Sequence, residues 1–261
     1  MTEETRLTAE KIKIQAKQLH LPMFTHYEEV VRQMKPSTNF GELLSLLMQK
    51  ELEQRQENKN RRRLKQGNFP FTKTLEELDM SRYEGHITDL FLQKLSSCQY
   101  IDEKKNIIMI GNPGRGKTHM AIGLGLKACA AGMSVLFKNA ADLSTELEEA
   151  KEQYILGKLE KKIQKADLLI IDEMGYVSFN RFQSELLFKV MADRSERKST
   201  IVTTNLPFSE WVNLFENKAL VSAMVDRLTF RSHILDMNGD SYRLSQAIRE
   251  NGGGGKLSSE R

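Results

Sequence analysis

No run of eighteen apolar residues occurs in this 261-residue chain, so no segment has the length of a membrane-spanning helix. Cysteine is nearly absent. Cys98 and Cys129 have no metal-ligand spacing, and both lie in helix-like contexts that read as buried free thiols rather than a disulfide. The opening stretch, Met1–Gln15, alternates charged and apolar residues and predicts no signal peptide. No internal repeat is visible. These absences predict a cytoplasmic protein and exclude membrane-embedded, disulfide-stapled and zinc-scaffold classes. What remains is an ordinary globular balance of 39% hydrophobic and 28% charged residues, in a chain long enough to bury a core in one or two domains.

The formal net charge of +4 is unevenly placed. Residues 1–68 carry 13 Lys and Arg against 9 Asp and Glu, whereas the remainder balances at 26 of each. The densest part is Lys59-Asn60-Arg61-Arg62-Arg63-Leu64-Lys65. Such a block attracts phosphate backbones, and it equally describes a solvated helix end; charge alone does not choose.

Residues 1–66 predict helices: one around Leu7–Leu21, a second over Phe24–Met34, and a third from the cap-like Ser37-Thr38-Asn39 into the basic block. Gly67-Asn68-Phe69-Pro70 interrupts that polar helix end and predicts a domain junction. The chain thus divides into an N-terminal helical domain over 1–67 and a second domain over 68–250. Residues 251–261, rich in glycine, read as a flexible tail with the composition of an added linker. Beyond the junction, strands alternate with helices. Strands are predicted at Asn106–Ile110, Ser134–Phe137, Asp167–Ile171, Thr200–Thr204 and His233–Met237. Helices are predicted at Lys117–Ala131, Ala141–Lys165 with a break near Gly157, Arg181–Glu196, Ser209–Phe215 and Leu220–Thr229. The alternation predicts an α/β fold, a parallel sheet flanked by helices.

Gly111-Asn112-Pro113-Gly114-Arg115-Gly116-Lys117-Thr118 matches the P-loop pattern at every fixed position, after a predicted strand and opening a predicted helix. Glycines let successive backbone N–H groups turn towards phosphates, and the helix N-terminus adds its positive end. Lys117 then supplies a movable charge for the β/γ oxygens, and the Thr118 hydroxyl a ligand for Mg²⁺. Fifty-five residues beyond Lys117, the apolar run Leu168–Ile171 ends in Asp172 and Glu173, placing two acids at the carboxyl end of a buried strand. Asp172 is expected to hold Mg²⁺, directly or through water, and Glu173 to activate the attacking water. The next strand, Thr200–Thr204, ends in Asn205, which can orient that water; by itself a strand-end Asn is more often a turn former.

In this order the pieces resemble the AAA+ ATPases: Walker A at 111–118, Walker B at 167–173, and a sensor-1 residue at Asn205. Within that superfamily the chain looks most like the IstB/DnaC group, the helper ATPases of insertion-sequence transposition and the bacterial helicase loaders. The resemblance runs from about Phe69 to Leu244. It is carried by 74–79 (TLEELD), 111–119 (GNPGRGKTH, ending at His119), 171–176 (IDEMGY), 203–211 (TTNLPFSEW) and 226–228 (DRL). It implies an AAA+ core behind a small N-terminal helical domain, without a full C-terminal lid. It also implies ATP and Mg²⁺ as cofactors, with residues 111–119 around the nucleotide. Arg227 matches the position of an arginine finger acting on the neighbouring subunit, and Arg243 that of a sensor-2 arginine acting in cis. The helical insertion at Ala141–Lys165 would line a channel holding nucleic acid, with Lys138, Asn139, Lys151, Tyr154 and Lys158 as candidate contacts alongside Arg61, Arg62 and Arg63. Lys161, Lys162 and Lys165 read instead as a wet helix face.

The function this implies is an ATPase that assembles on duplex DNA through nucleotide-bridged interfaces, with little sequence preference, and helps a transposase capture its target in the bacterial nucleoid. The alternative on the same fold is a DnaC-like helicase loader, disfavoured by the T-N-L-P-F-x-E-W stretch. A small-molecule kinase would need an arginine-rich lid, which is not apparent. A purely architectural binder would have no use for Glu173.

Overall fold

The computed structural model describes residues 3–33, 39–83 and 87–239. The chain forms two compact units, Met1–Arg62 and Arg63–Arg261. The division falls inside a helix.

In the first unit, helices α1 (Glu3–Gln18), α2 (Tyr27–Arg32) and the start of α3 (Phe40–Gly67) pack around Ala9, Ala16, Val30 and Leu47. The first helix ends at Gln18, where His20 adopts φ +54° and Leu21 N–H folds back to Ala16 O at 2.8 Å, and Pro22–His26 forms a 3₁₀ turn in place of the start expected for the second helix. Asn39 caps α3: its Oδ1 accepts from Glu42 N at 2.9 Å, and its own N–H donates to Glu42 Oε2 at 3.3 Å. The other two residues expected at that cap, Ser37 and Thr38, lie outside the described residues. The buried Glu51 carboxylate accepts from Met23 N at 3.0 Å and Arg55 Nε at 2.8 Å, tying α3 to the 3₁₀ turn.

The second unit contains α4 (Asp89–Ser96), α5 (Gln99–Asp102), β1 (Asn106–Ile110), α6 (Lys117–Ala130), β2 (Val135–Asn139), α7 (Ala140–Glu152), α8 (Leu156–Lys165), β3 (Leu168–Asp172), α9 (Arg181–Arg194), β4 (Ser199–Thr204), α10 (Lys218–Thr229) and β5 (Ser232–Asp236). The five strands are all parallel, in the order β2-β3-β4-β1-β5. Ile107, Ile108, Met109 and Leu168–Ile171 are fully buried, because both faces of the sheet are covered. Ile107, Ile170 and Ile201 pack with α4 and α6 on one face. Ile108, Leu169 and Val202 pack with α7, α9 and α10 on the other, around Trp211 and Phe215.

Most predicted elements stand within two residues of their expected ends, but the helical insertion breaks elsewhere. The break expected near Gly157 lies at Gln153–Ile155, where Tyr154 adopts φ +58°, and Gly157 sits inside the first turn of α8. The helix ends there because Ile155 N–H folds back to Ala150 O at 2.8 Å, the closure of a left-handed helix stop. α4, α5 and the 3₁₀ turns Leu75–Glu77 and Met80–Arg82 have no counterpart among the sequence expectations.

Candidate functional site

β1 hands the chain to a Gly-rich loop and then to α6. Gly114 and Gly116 have φ of +78° and +82°, a region costly for residues with a Cβ. At Gly116 a Cβ would also come within 2.5 Å of Tyr83 Oη. α6 begins at Lys117 without a side-chain cap, so no side chain competes for the first N–H groups of the helix. Lys117 is buried, and its Nζ donates to Gly111 O at 2.6 Å and Asn112 O at 2.9 Å. Asn112 Nδ2 donates to Gly239 O at 3.3 Å and Arg115 Nε to Met237 O at 3.2 Å, tying the loop to the segment after β5. His119 Nε2 lies 2.6 Å from Thr74 O, which leaves it packed against the preceding segment.

The strand order places β4 between β1 and β3. Neighbouring strands are roughly 4.8 Å apart, so the Gly-rich loop and the two acids stand about two strand spacings apart, with the end of β4 between them. Thr118 Oγ1 lies 3.0 Å from both oxygens of Asp172. Hydroxyl and carboxylate oxygens at this spacing are the donors a hard divalent cation takes, so the two residues could hold Mg²⁺. Burial pushes the Asp172 carboxyl above its usual range, and the Glu173 charge adds to this. The Thr203 and Thr118 hydroxyls and Lys117 oppose it.

Glu173 follows with φ +61°, and its carboxylate accepts from Asn139 Nδ2 at 2.8 Å. Asn205 follows β4. Its Oδ1 is buried and accepts no hydrogen bond from the described residues. Gly175, at φ +153°, lets the loop after β3 lie directly against that Oδ1, which a Cβ would strike. One cavity of about 390 Å³ collects these groups. Pro113–His119, Glu173, Thr203, Thr204 and Asn205 all line it.

Several lining residues were not anticipated. Phe71, Lys73, Leu78 and Tyr83 come from the segment before β1. Tyr83 Oη donates to Arg115 O at 2.6 Å, and the Arg115 guanidinium lies over the Tyr83 ring. The 74–79 stretch had marked the neighbourhood, but a lone Tyr carries no motif. Tyr176, half exposed, borders the same cavity.

The remaining candidates stand elsewhere. Arg227 on α10 donates to Ala223 O at 2.9 Å and lies over the Phe188 ring, outside the cavity. Arg243 lies outside the described residues. Lys138 pairs with Glu146, and Lys151 sits 3.9 Å above the Phe182 ring centre. Asn139 caps α7 through Ala141 N at 3.0 Å while holding Glu173. Tyr154 and Lys158 are exposed on the α7–α8 arm. Arg61 and Arg62 are exposed on α3, whereas Arg63 lies beside Gly132 just past the end of α6.

Residues 14–250 match the family described as IstB-like ATP binding protein. The chain is 36% identical over 222 residues to an ATP-binding protein of insertion sequence IS21 from Pseudomonas aeruginosa, covering 85% of this chain and 83% of that one. It is 34% identical over 242 residues to the IS5376 counterpart from Geobacillus stearothermophilus, covering 91% and 95%. Among solved structures, it resembles the DnaC helicase loader with a TM-score of 0.50 at 22% identity, over 56% of this chain and 86% of that one. It also resembles AMPPCP-bound DnaA from Aquifex aeolicus with a TM-score of 0.55 at 18% identity, over 74% and 58%. At these identities the structural likeness speaks for the fold alone, a parallel sheet flanked by helices. Fold, loop and sequence kinship agree: the chain belongs to the IstB-like ATP-binding proteins of IS21-type insertion sequences.

Proposed function

We infer that the chain is an Mg²⁺-dependent ATPase that assembles on duplex target DNA and helps a transposase capture it. One observation carries the catalytic part. Lys117, Thr118, Glu173 and Asn205, drawn from three strand ends, line a single cavity whose wall also holds Thr203. Lys117 serves as the charge on the β/γ oxygens, and Thr118 with Asp172 holds the cation, which neutralises charge on the phosphates when bound. Glu173 accepts a proton from the attacking water, and the Asn205 side-chain amide orients that water. Arg227 lies outside this cavity, in keeping with a part played on a neighbouring subunit's nucleotide. Nucleotide-bridged subunits would multiply weak backbone contacts along the DNA.

The N-terminal helical domain, ending in Arg61 and Arg62, and the α7–α8 arm, with Lys151, Tyr154 and Lys158, are the surfaces we assign to DNA. Phosphate contacts from such residues carry little sequence information. The kinship with insertion-sequence proteins favours a transposition helper over a helicase loader.

Substituting Glu173→Gln tests the chemistry. Turnover is expected to fall by roughly 10²–10⁴-fold, the usual worth of a general base, while ATP and duplex DNA still bind. Turnover at the parent rate in a phosphate-release assay removes Glu173 from this role.

A further inference from the structure

Thr203 is 1% exposed and belongs to no motif that names its side chain, yet it touches three successive residues of the acidic turn. Its Oγ1 donates to Asp172 Oδ1 at 2.6 Å, Glu173 N–H donates to the same Oγ1 at 2.9 Å, and Met174 N–H donates to Thr203 O at 2.8 Å. The directions follow from chemistry. A backbone N–H can only donate, so the hydroxyl must accept from Glu173, and its single hydrogen is left for the Asp172 carboxylate.

Two consequences follow. The 2.6 Å bond is shorter than either Thr118 contact, so it sets the rotation of the Asp172 carboxylate and engages Oδ1, leaving Oδ2 as the less committed oxygen. The bond to Glu173 N–H holds a residue with φ +61°, a conformation that L side chains rarely adopt. Relaxation of that turn would carry the Glu173 carboxylate away from Asn139 and from the cavity. Strand pairing delivers Thr203 to this position: β4 runs parallel to β3, with Ile170 opposite Ile201 and Ile171 opposite Val202, so Thr203 emerges where the acids begin.

We propose that the Thr203 hydroxyl is a positioning group that sets both acids at once, orienting Asp172 for its cation and fixing Glu173 for its water. This deepens the ATPase reading above and rests on it.

Thr203→Val removes the hydroxyl and keeps the branched shape, whereas Thr203→Ser keeps the hydroxyl. The kcat of Thr203→Val is expected to fall by about 10- to 100-fold, the range typical of residues that orient metal ligands. Its half-saturating Mg²⁺ for ATP binding should rise by about tenfold or more, while affinity for ATP in EDTA stays within about twofold of the parent. Thr203→Ser should recover most of both losses. In a Glu173→Gln background, Thr203→Val should lower turnover less than in the parent, because one of the two groups it positions is already gone, while the rise in half-saturating Mg²⁺ should persist. Parental kcat and Mg²⁺ requirement in Thr203→Val overturn the proposal, as does a Thr203→Ser variant impaired as severely as the valine. Thr203→Ala serves as the second hydroxyl-free variant if the valine fails to fold. A parent with no turnover would sink the ATPase reading alone; the Mg²⁺ requirement for ATP binding would still decide the role of Thr203.

Discussion

Arg194 is a cation 1% exposed to solvent, far from the nucleotide cavity. Its guanidinium donates to Ile163 O at 2.6 Å, Ala166 O at 3.0 Å, Ser199 O at 2.6 Å and Thr200 Oγ1 at 3.3 Å. Burial lowers its pKa to about 10, with Asp167 opposing, so it stays charged at neutral pH. The acceptors belong to the end of α8, the turn after it and the start of β4, so one fork joins the arm to the strand that carries Thr203 and Asn205. Arg194→Met is expected to lower stability by about 3–5 kcal/mol, since it strands three buried carbonyls. Arg194→Lys should recover only part, because an ammonium cannot reproduce the planar fork. Urea unfolding of the three proteins measures both. Nothing in the local sequence, A-D-R-S-E-R-K, distinguishes Arg194 from Arg197 or Lys198; the distinction is made by what folds over it.

At the scale of elements, the α7–α8 arm combines an unfavourable backbone with an unused side chain. Tyr154 holds φ +58° while 97% exposed, so no packing compensates the left-handed conformation. Tyr154→Gly should therefore raise stability by about 0.5–1 kcal/mol, and it should weaken duplex binding if the ring meets DNA. Gly157→Ala is the control: a Cβ there meets nothing within 4 Å, so the helix should gain about 1 kcal/mol with DNA affinity unchanged. Thermal melts alongside filter binding separate the two effects. Equal DNA affinity for the parent and Tyr154→Gly would remove the tyrosine from the interface. The arm also shows how far sequence pattern reaches. A helical stretch over Ala141–Lys165 is legible in the sequence, which places its break near the glycine. Glycine tolerates a helix stop without enforcing one, and the stop falls where Ile155 can fold back on Ala150.

For the whole molecule, Arg227 is the informative residue. In its own subunit it rests on Phe188 and Ala223 O, away from the cavity holding Lys117 and Glu173. Under the proposed function, a site completed by a neighbour would make assembly a function of nucleotide, and basic surfaces on each subunit would make it a function of DNA. Mass measurement should find larger assemblies only when ATP and duplex DNA are both present. DNA binding should weaken steeply with salt and differ little between unrelated duplexes. Assembly without ATP, or a strong preference for one sequence, would contradict this reading. Among the described residues no helix is long and apolar enough to cross a membrane.

The residue types and their spacing were enough to identify the Gly-rich loop, the acids at the end of an apolar strand, the α/β alternation and the kinship with IstB-like proteins. Each of these is written locally, because phosphate binding and strand burial demand particular residues in consecutive positions. Only the tertiary structure decided that β4 lies between β1 and β3, that Thr203 reaches both acids, that Asn139 holds Glu173, and that Tyr83 and Leu78 wall the cavity. These depend on which strands pair and on contacts between residues far apart in the chain. A hydroxyl at position 203 looks the same in the sequence whether it faces solvent or a carboxylate; parallel pairing with β3 makes the difference.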